Sequence, residues 1–214
     1  MTQSLQKLFT FEEFLEFLAE QPETARYELY DGDIIQMPPP VGDHEQIVAF
    51  LTACLIECNL RQRRYGIPRT VLVKPENKQS GYYPDILLLN LPNLVNEPKW
   101  AKESTVSFAV SIPLVIEVVS TNWRDDYYKK FADYEEMGIP EYWIVDYAAL
   151  GSKVLIGDSK QPTITIYSLN DEGEYRGQQF RGSECLSDTL RERIYSPTFP
   201  DLNITAEEIF CSTI

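Results

Sequence analysis

Two carboxylates interrupt strand-like apolar runs, and they are the residues best placed to do chemistry. Glu117 lies in the run PLVIEVVS at 113–120, and Asp85 lies in YYPDILLL at 82–89. An ionised carboxylate among Val and Ile side chains costs several kcal/mol unless it is paired, hydrogen-bonded or bound to a metal. The Lys-containing segment 124–137 offers a nearby cation. The pattern suggests a divalent-metal hydrolytic site, with structural salt bridges as the alternative.

The chemistry follows from the ligand type. Carboxylate oxygens are hard ligands that suit Mg²⁺ or Mn²⁺, and such an ion polarises a phosphoryl oxygen and lowers the pKa of a bound water. A lysine beside it would stabilise the charge that develops on the attacked phosphate or help to position the nucleophile. If their two strands are neighbours in a suitable register, Asp85 and Glu117 can point to one spot, and a metal site there would be suited to phosphodiester hydrolysis.

Composition limits the alternatives. A chain of 214 residues is long enough for one buried domain, which we expect over 1–214. The net charge of −14 repels phosphate, and this disfavours a general affinity for anionic membranes or long nucleic acid. Local basic clusters such as Arg61, Arg63 and Arg64 could override it, although their position at a helix end is a sufficient structural reason for them.

The chain has no signal-like N-terminus and no run of about 18 apolar residues, so we expect a cytoplasmic protein with no membrane span. The four cysteines follow no disulfide framework, because Cys54 and Cys58 share one face of a predicted helix. We expect all four to be reduced.

The N-terminal half alternates helix and strand signals. A capping box at Thr10–Glu13 begins a helix, and Asp31–Gly32 joins two strands of a hairpin. An apolar stripe predicts a long helix over 43–64. Strands are expected at 70–73 and 83–89.

A strand, helix, strand unit forms the predicted centre. The strand 112–120 lacks alternation, as expected for burial on both faces, and a helix at 123–137 leads to a strand at 141–146. This order is typical of a right-handed crossover between parallel strands, so the core is α/β. The segment 90–110 has no clear period and is interpreted as an insertion loop.

The C-terminal part has a different pattern of predicted secondary structure. Short strands are expected to form an antiparallel extension of the sheet, at 153–156, 163–168 and 175–180. A second capping box at Thr205–Glu208 begins a short final helix.

Several motifs follow one another in a fixed order through nearly the whole chain. They are TFEEF at 10–14, YELYDG at 27–32, YPDI at 83–86, IEVVS at 116–120, KFADY at 130–134, GIPEYWIVD at 138–146 and FPDL at 199–202. In this order they resemble the Uma2 family (DUF820) of restriction endonucleases, a cyanobacterial type within the PD-(D/E)XK superfamily. The resemblance implies a restriction-endonuclease-like mixed sheet flanked by helices. It also implies a metal-dependent endonuclease that acts on nucleic acid, DNA rather than RNA, as a homodimer.

The resemblance assigns roles to the acids. Asp85 matches the first acidic element of the superfamily pattern and Glu117 the second. The usual lysine would follow two residues later, at Val119, so this chain departs from the pattern. The resemblance supplies Lys130 from the following helix instead, on one helix face with Asp126. The alternative is that Asp126 and Lys130 form an ordinary exposed ion pair.

Two further residues are candidates. The resemblance makes Glu28 a third acid that completes the metal shell or holds a ligating water, whereas the alternative is a solvent-facing strand residue. His44 is the only histidine, so no serine-hydrolase triad has its base. We expect it to begin the long helix rather than to orient a phosphate. Tyr142 and Trp143 are expected to be core residues.

The leading hypothesis is an Mg²⁺- or Mn²⁺-dependent nuclease with Asp85, Glu117 and Lys130 as catalytic residues, in which Asp85, Glu117 and Glu28 hold the metal. The alternative is a catalytically silent binding or regulatory module that keeps a nuclease fold and acts as a homo-oligomer, since a fold does not fix a function.

Overall fold

The structure is a computed structural model that describes residues 8–22, 24–59, 64–181 and 193–213. The α-helices within these ranges are α1 Phe11–Ala19, α2 Gly42–Asn59, α3 Trp100–Glu103, α4 Phe131–Met137, α5 Lys153–Ile156 and α6 Ala206–Phe210. Two 3₁₀ helices span Leu91–Asn96 and Ala109–Ser111, and a π-helix spans Asp125–Lys130 directly before α4.

The strands build one large sheet and two small ones. They are β1 Arg26–Tyr30, β2 Asp33–Met37, β3 Tyr65–Gly66, β4 Leu72–Val73, β5 Ile86–Asn90, β6 Thr105–Val106, β7 Leu114–Val118, β8 Glu141–Asp146, β9 Thr163–Leu169 and β10 Tyr175–Arg181. The large sheet has the order β10-β9-β8-β7-β5-β3. Only β7 and β8 pair in parallel within it, so the sheet is mixed.

The predicted centre is confirmed. β7, the π-helix with α4, and β8 form the crossover between parallel strands, with Val115 opposite Tyr142. β9 and β10 then extend the sheet in antiparallel fashion. Both β7 and β8 are buried along their whole length, which explains why neither alternates in sequence.

The local signals act as their chemistry predicts. Thr10 and Thr205 each accept a hydrogen bond from the N–H three residues later, so both capping boxes form. Asp31 and Gly32 both have positive φ, at 47° and 86°, and they join β1 to β2 in an antiparallel hairpin.

Two hydrophobic layers cover the large sheet. One layer packs α2 and α6 against one face, and the other packs α4 and the segment 90–112 against the opposite face. Because successive strand residues point to opposite faces, Val118 belongs to the first layer and Val119 to the second. Glu117, two residues before Val119, points to the face that α4 covers.

Two sequence predictions need correction. The residues 153–156 form the short helix α5, not a strand, and Val154 on it is 93% exposed. The segment 90–110 is not a structureless loop, because it contains two helical turns, α3 and β6, which pairs in parallel with β4. Glu97 secures it by accepting hydrogen bonds from the N–H groups of Ser107 and Phe108 at 2.9 and 3.0 Å.

Three further predictions concern the long helix, the burial of two aromatic residues and membrane-spanning helices. The long helix ends at Asn59 within the described residues, and Arg61 and Arg63 lie outside them. Tyr142 and Trp143 are fully buried, as predicted. Among the residues that the structure describes, none of the helices has the length and apolar character needed to cross a membrane.

Candidate active site

The sheet brings the two strand acids together. β5 and β7 are antiparallel with Ile86 opposite Ile116, and the same register places Asp85, just before β5, across from Glu117. An Asp85 carboxylate oxygen, Oδ2, accepts a hydrogen bond from the Val118 N–H at 2.8 Å. Asp85 is therefore fixed at the beginning of β5 beside Glu117, although the two acids are far apart in sequence.

Lys130 lies at the centre of the acids. Its Nζ is 3.2 Å from Glu28 Oε1, 3.2 Å from Glu117 Oε2 and 3.4 Å from Asp126 Oδ1. The Lys130 side chain is only 3% exposed, and that of Asp126 only 6%. The interpretation of Asp126 and Lys130 as an exposed helical pair is therefore wrong, because both belong to a buried charge cluster.

The local backbone explains how lysine reaches this place. Asp125–Lys130 is a π-helix, a wide turn that often occurs at functional sites. It follows β7 and delivers Lys130 over Glu117. Val119, where the usual motif would carry lysine, is fully buried and donates its N–H to the Val145 carbonyl oxygen at 3.0 Å. The position of Val119 belongs to the hydrophobic layer, and the cation comes from the next helical segment.

Glu28 comes from the hairpin. It is 5% exposed, and its Oε1 accepts the Tyr83 N–H at 3.0 Å in addition to contacting Lys130. The alternative of a solvent-facing Glu28 is therefore wrong. The main chain just before Asp85 thus holds the hairpin acid in the same cluster as the sheet acids.

Aromatic side chains complete the surroundings and were not singled out from sequence for this role. The Tyr134 hydroxyl donates to Glu117 Oε1 at 3.2 Å, and the Lys130 ammonium lies 6.0 Å from the centre of the Tyr82 ring. Tyr82 in turn donates to Asp133 Oδ2 at 2.5 Å. The only sequence signal for Tyr134 was its four-residue spacing from Lys130 on one helix face.

Burial, together with the charges of the cluster, shifts the pKa values of its carboxyl groups. Burial raises the pKa of the Glu117 carboxyl well above its ordinary value, and Asp85 and Asp126 add to the shift while Lys130 opposes it. Burial likewise raises the pKa of Glu28, and it raises the pKa of Asp126 to about 7.

The pKa of Lys130 shifts in the opposite direction to that of a lone buried amine. Burial lowers the pKa of Lys130, but the charges of Glu117, Glu28 and Asp126 outweigh burial and hold its pKa well above the ordinary value. Lys130 therefore stays protonated. One ammonium thus faces the carboxyl groups of Glu28, Glu117 and Asp126.

His44 approaches from the other layer. Its Nε2 lies 3.3 Å from Asp85 Oδ2, and the side chain is 7% exposed. Burial lowers the His44 pKa, but the hydrogen bond and the charge of Asp85 outweigh it, so the pKa is raised. His44 lies near the start of α2, as predicted, and in addition it orients Asp85.

The cluster opens into a cavity of about 270 Å³. Its wall combines the acids and Lys130 with an apolar rim and a polar loop. The lining residues are Arg26, Glu28, Met37, Pro38, Pro39, Pro40, Val41, His44, Tyr83, Asp85, Glu117, Val118, Ser120, Thr121, Asn122, Asp126, Lys130, Tyr147 and Leu150. All the sequence-predicted site residues line this one cavity.

The ligand atoms that the cavity offers determine which metal ion could bind there. Within the described residues, no group of three or more His, Cys, Asp and Glu side chains has an arrangement that could hold a metal ion. Mg²⁺ is usually held by one or two carboxylates while it keeps several waters, and Asp85 and Glu117 offer such a pair of hard oxygen ligands in the cavity wall. The chemistry of this pair fits a hydrated Mg²⁺ or Mn²⁺ and does not fit a closed zinc site.

The chain has a mixed α/β fold, with a sheet flanked by helices, that is shared by a solved structure. A crystal structure of "a putative nuclease belonging to DUF820" from Anabaena variabilis ATCC 29413 superposes with a TM-score of 0.70 at 18% sequence identity, over 95% of this chain and 98% of that one. At that identity the likeness shows the fold. No curated protein matches the chain.

A comparison with protein-family models assigns the chain to a family. The Uma2 model, described as "Putative restriction endonuclease", matches residues 11–207. The chain therefore belongs to the Uma2 family, and the resemblance noted from its ordered motifs is confirmed.

Proposed function

We propose that this protein is a metal-dependent endonuclease that hydrolyses phosphodiester bonds of nucleic acid. The observation that carries the proposal is the meeting of Asp85, Glu117 and Lys130 in one solvent-connected cavity, with Lys130 Nζ 3.2 Å from Glu117 Oε2. Membership of a family described as restriction endonucleases supports the same chemistry.

Each residue has a role that its surroundings permit. Asp85 and Glu117 would hold Mg²⁺ or Mn²⁺, and Glu28 would assist through a ligating water. When bound, such an ion polarises the phosphate and lowers the pKa of a water. Lys130 stays protonated beside the acids and provides positive charge for the attacked phosphate. His44 keeps Asp85 oriented through the 3.3 Å contact.

The test is cleavage of labelled DNA and RNA with Mg²⁺, with Mn²⁺ and with EDTA. Asp85→Asn keeps the side-chain shape while removing the charge, and we expect it to abolish cleavage. Asp125→Asn is the matched control, because Asp125 is an acid of the π-helix that pairs with Lys129 at 2.7 Å and does not line the cavity. Cleavage that persists in EDTA or in Asp85→Asn would refute the proposal.

A second candidate is a non-catalytic module that retains the fold. Both Glu117 oxygens already have protein partners, Lys130 at one and Tyr134 at the other. The net charge of −14 also opposes binding of a polyanion. Calorimetric titration with Mn²⁺ separates the two candidates, since a folded protein that binds no Mn²⁺ at millimolar concentration and cleaves nothing supports the silent module.

Two further expectations belong to the proposal. The protein acts as a homodimer, since nuclease domains that pair can each address one strand, and DNA is preferred to RNA. Sedimentation in the presence and absence of substrate tests the first, and parallel cleavage of matched DNA and RNA tests the second.

A further inference from the structure

An exposed aromatic and arginine surface lies beside the cavity, and the proposed catalytic roles do not use it. We call Trp123, Arg124 and Tyr128 the Trp123 platform. The Arg124 guanidinium carbon lies 4.3 Å from the centre of the Trp123 ring, and the rings of Trp123 and Tyr128 lie 6.4 Å apart. Tyr128 is 52% exposed and Arg124 is also exposed. Three flat, π-bearing groups are thus offered to solvent at one place.

The platform is anchored to the core. The Trp123 ring meets Tyr127, only 4% exposed, edge to face at 6.3 Å. The backbone N–H of Trp123 donates to the Ser120 carbonyl oxygen at 3.1 Å. A half-buried ring fixed on its inner side loses little conformational freedom when a ligand stacks on its outer side, which favours binding.

The platform is continuous with the cavity. The three residues that precede it, 120–122, all line the cavity wall, and the π-helix that carries Tyr128 also carries Lys130. A strand that stacks on Trp123 would therefore lie next to the wall of the cavity that holds the acids. The cavity lining also includes Pro38–Pro40 and Val41, which are exposed and apolar.

Charge decides which nucleic acid fits. A duplex is held mainly by phosphate contacts, and typical duplex-binding proteins make about 6–10 of them. Apart from Lys130 and from His44, which contacts Asp85, the cavity lining in the described ranges contains one basic residue, Arg26, and the platform adds Arg124. Lys129 is engaged by Asp125 at 2.7 Å. With so few free cations on a chain of net charge −14, the affinity must come from stacking rather than from phosphate neutralisation.

We propose that the Trp123 platform binds unpaired bases, so that the cavity receives single-stranded polynucleotide in preference to intact duplex. Base stacking on aromatic side chains tolerates any sequence, and Arg124 adds a cationic plane on which a base or a phosphate can lie. This inference rests on the proposed function for the cavity, whereas binding by the platform itself does not require hydrolysis.

The experiment measures binding without chemistry. Oligo(dT) of ten nucleotides and a ten-base-pair duplex are titrated in EDTA, with fluorescence anisotropy of the labelled nucleic acid and quenching of tryptophan emission as readouts. We expect the single strand to bind more tightly. A stacked base contributes about 1–3 kcal/mol, so Tyr128→Ala and Trp123→Ala should each weaken binding about 5- to 150-fold.

Matched controls separate stacking from exposure. Tyr195 is 58% exposed, similar to Tyr128, and does not line the cavity. Tyr195→Ala should bind as the parent protein does. The slope of log K against log salt should be about −0.7 per phosphate contact, so three contacts, by Arg26, Arg124 and Lys130, predict a slope near −2.1. Because Trp123 is half-buried, Tyr128→Ala keeps the test valid if Trp123→Ala fails to fold.

A ribo-oligonucleotide of equal length distinguishes RNA from DNA as the source of the strand, and tight binding of either supports the platform.

Three results of the binding titrations would overturn the inference, and two results of other assays would do so as well. The first three are equal affinity for duplex and single strand, a salt slope as steep as −6, or equal behaviour of Tyr128→Ala and Tyr195→Ala. Dissociation of a dimer by Tyr128→Ala with no change in oligonucleotide affinity would instead assign the platform to a protein interface and overturn it too. Duplex cleavage that depends on Asp85 without single-strand binding would refute the platform alone. Single-strand binding without cleavage of any substrate would refute the nuclease alone.

Discussion

Replacing Lys130 by methionine tests whether one buried ammonium holds the acidic cluster together. Lys130 is 3% exposed and lies within 3.4 Å of carboxylate oxygens of Glu28, Glu117 and Asp126. Methionine has a similar length but no charge, so it leaves the three acids buried without their cation. Removing one partner of a buried ion pair typically costs about 3–5 kcal/mol, because the uncompensated charge stays behind. We expect a loss of this size in the free energy of unfolding.

The neighbouring lysine is the control. Lys129 is 32% exposed and contacts one carboxylate, that of Asp125, at 2.7 Å. Pairs of this kind contribute about 0–1 kcal/mol, so Lys129→Met should change the free energy of unfolding by less than about 1 kcal/mol. The two variants make the same chemical change in adjacent residues of one π-helix, and only their surroundings differ.

The assay is urea unfolding in EDTA, followed by tryptophan fluorescence, with the slope of unfolding free energy against urea checked for each variant. A double variant, Lys130→Met with Glu117→Gln, should be less destabilised than the sum of its single variants, since one buried charge is removed with its partner. Coupling of about 0.5–3 kcal/mol is usual for residues in contact. Equal stability of the Lys129 and Lys130 variants, or strict additivity in the double variant, would refute the description of a lysine-centred cluster.

Four other substitutions give sharp expectations in the same unfolding assay. Tyr134→Phe removes the hydroxyl that donates to Glu117 at 3.2 Å, and an unsatisfied buried acceptor should cost about 1–3 kcal/mol. Gly42→Ala should stabilise by about 0.5–1 kcal/mol, because Gly42 begins α2 and a Cβ there meets nothing within 4 Å. Gly32→Ala should instead destabilise by at least about 1–2 kcal/mol, because its φ is +86° and a Cβ would lie 2.9 Å from another side chain. Glu97→Ala removes the acceptor of two backbone N–H groups, at 2.9 and 3.0 Å, and should cost about 1–3 kcal/mol for each.

Each of these has a result that contradicts it. A Tyr134→Phe protein of parent stability would mean that Glu117 finds another donor. Equal effects of alanine at Gly32 and Gly42 would mean that the hairpin turn does not need its left-handed glycine. Wild-type stability of Glu97→Ala would show that the segment 90–110 is held by its apolar contacts alone.

Local signals in the sequence predicted most of the fold. Capping boxes, the Asp31–Gly32 turn and the unalternating strand at β7 depend on residues close together in the chain, so they can be recognised without tertiary information. The prediction failed where the local pattern is too short to be decisive. The four residues of α5 carry an apolar run that suits a strand or a helix, and the structure makes it a helix.

The paired segments β4 and β6 show a second limit. Each has two residues, and they pair in parallel across more than thirty positions, Leu72 with Thr105 and Val73 with Val106. No periodicity can be read from two residues. Long-range pairing of this kind is decided by packing, here against the layer that also contains Val115.

The acids at the centre of this protein show what the sequence determined by itself. A carboxylate such as Glu117 in an apolar strand requires a partner, and the ordered motifs identify the family and predict Lys130 as the cation in place of a lysine at Val119. Tertiary structure alone decided the environment. It buried Glu28 and Asp126 around Lys130 and placed Tyr134 on Glu117. The physical reason is that burial and charge pairing arise from segments distant in sequence, and only the packed sheet and π-helix bring those segments within hydrogen-bonding distance.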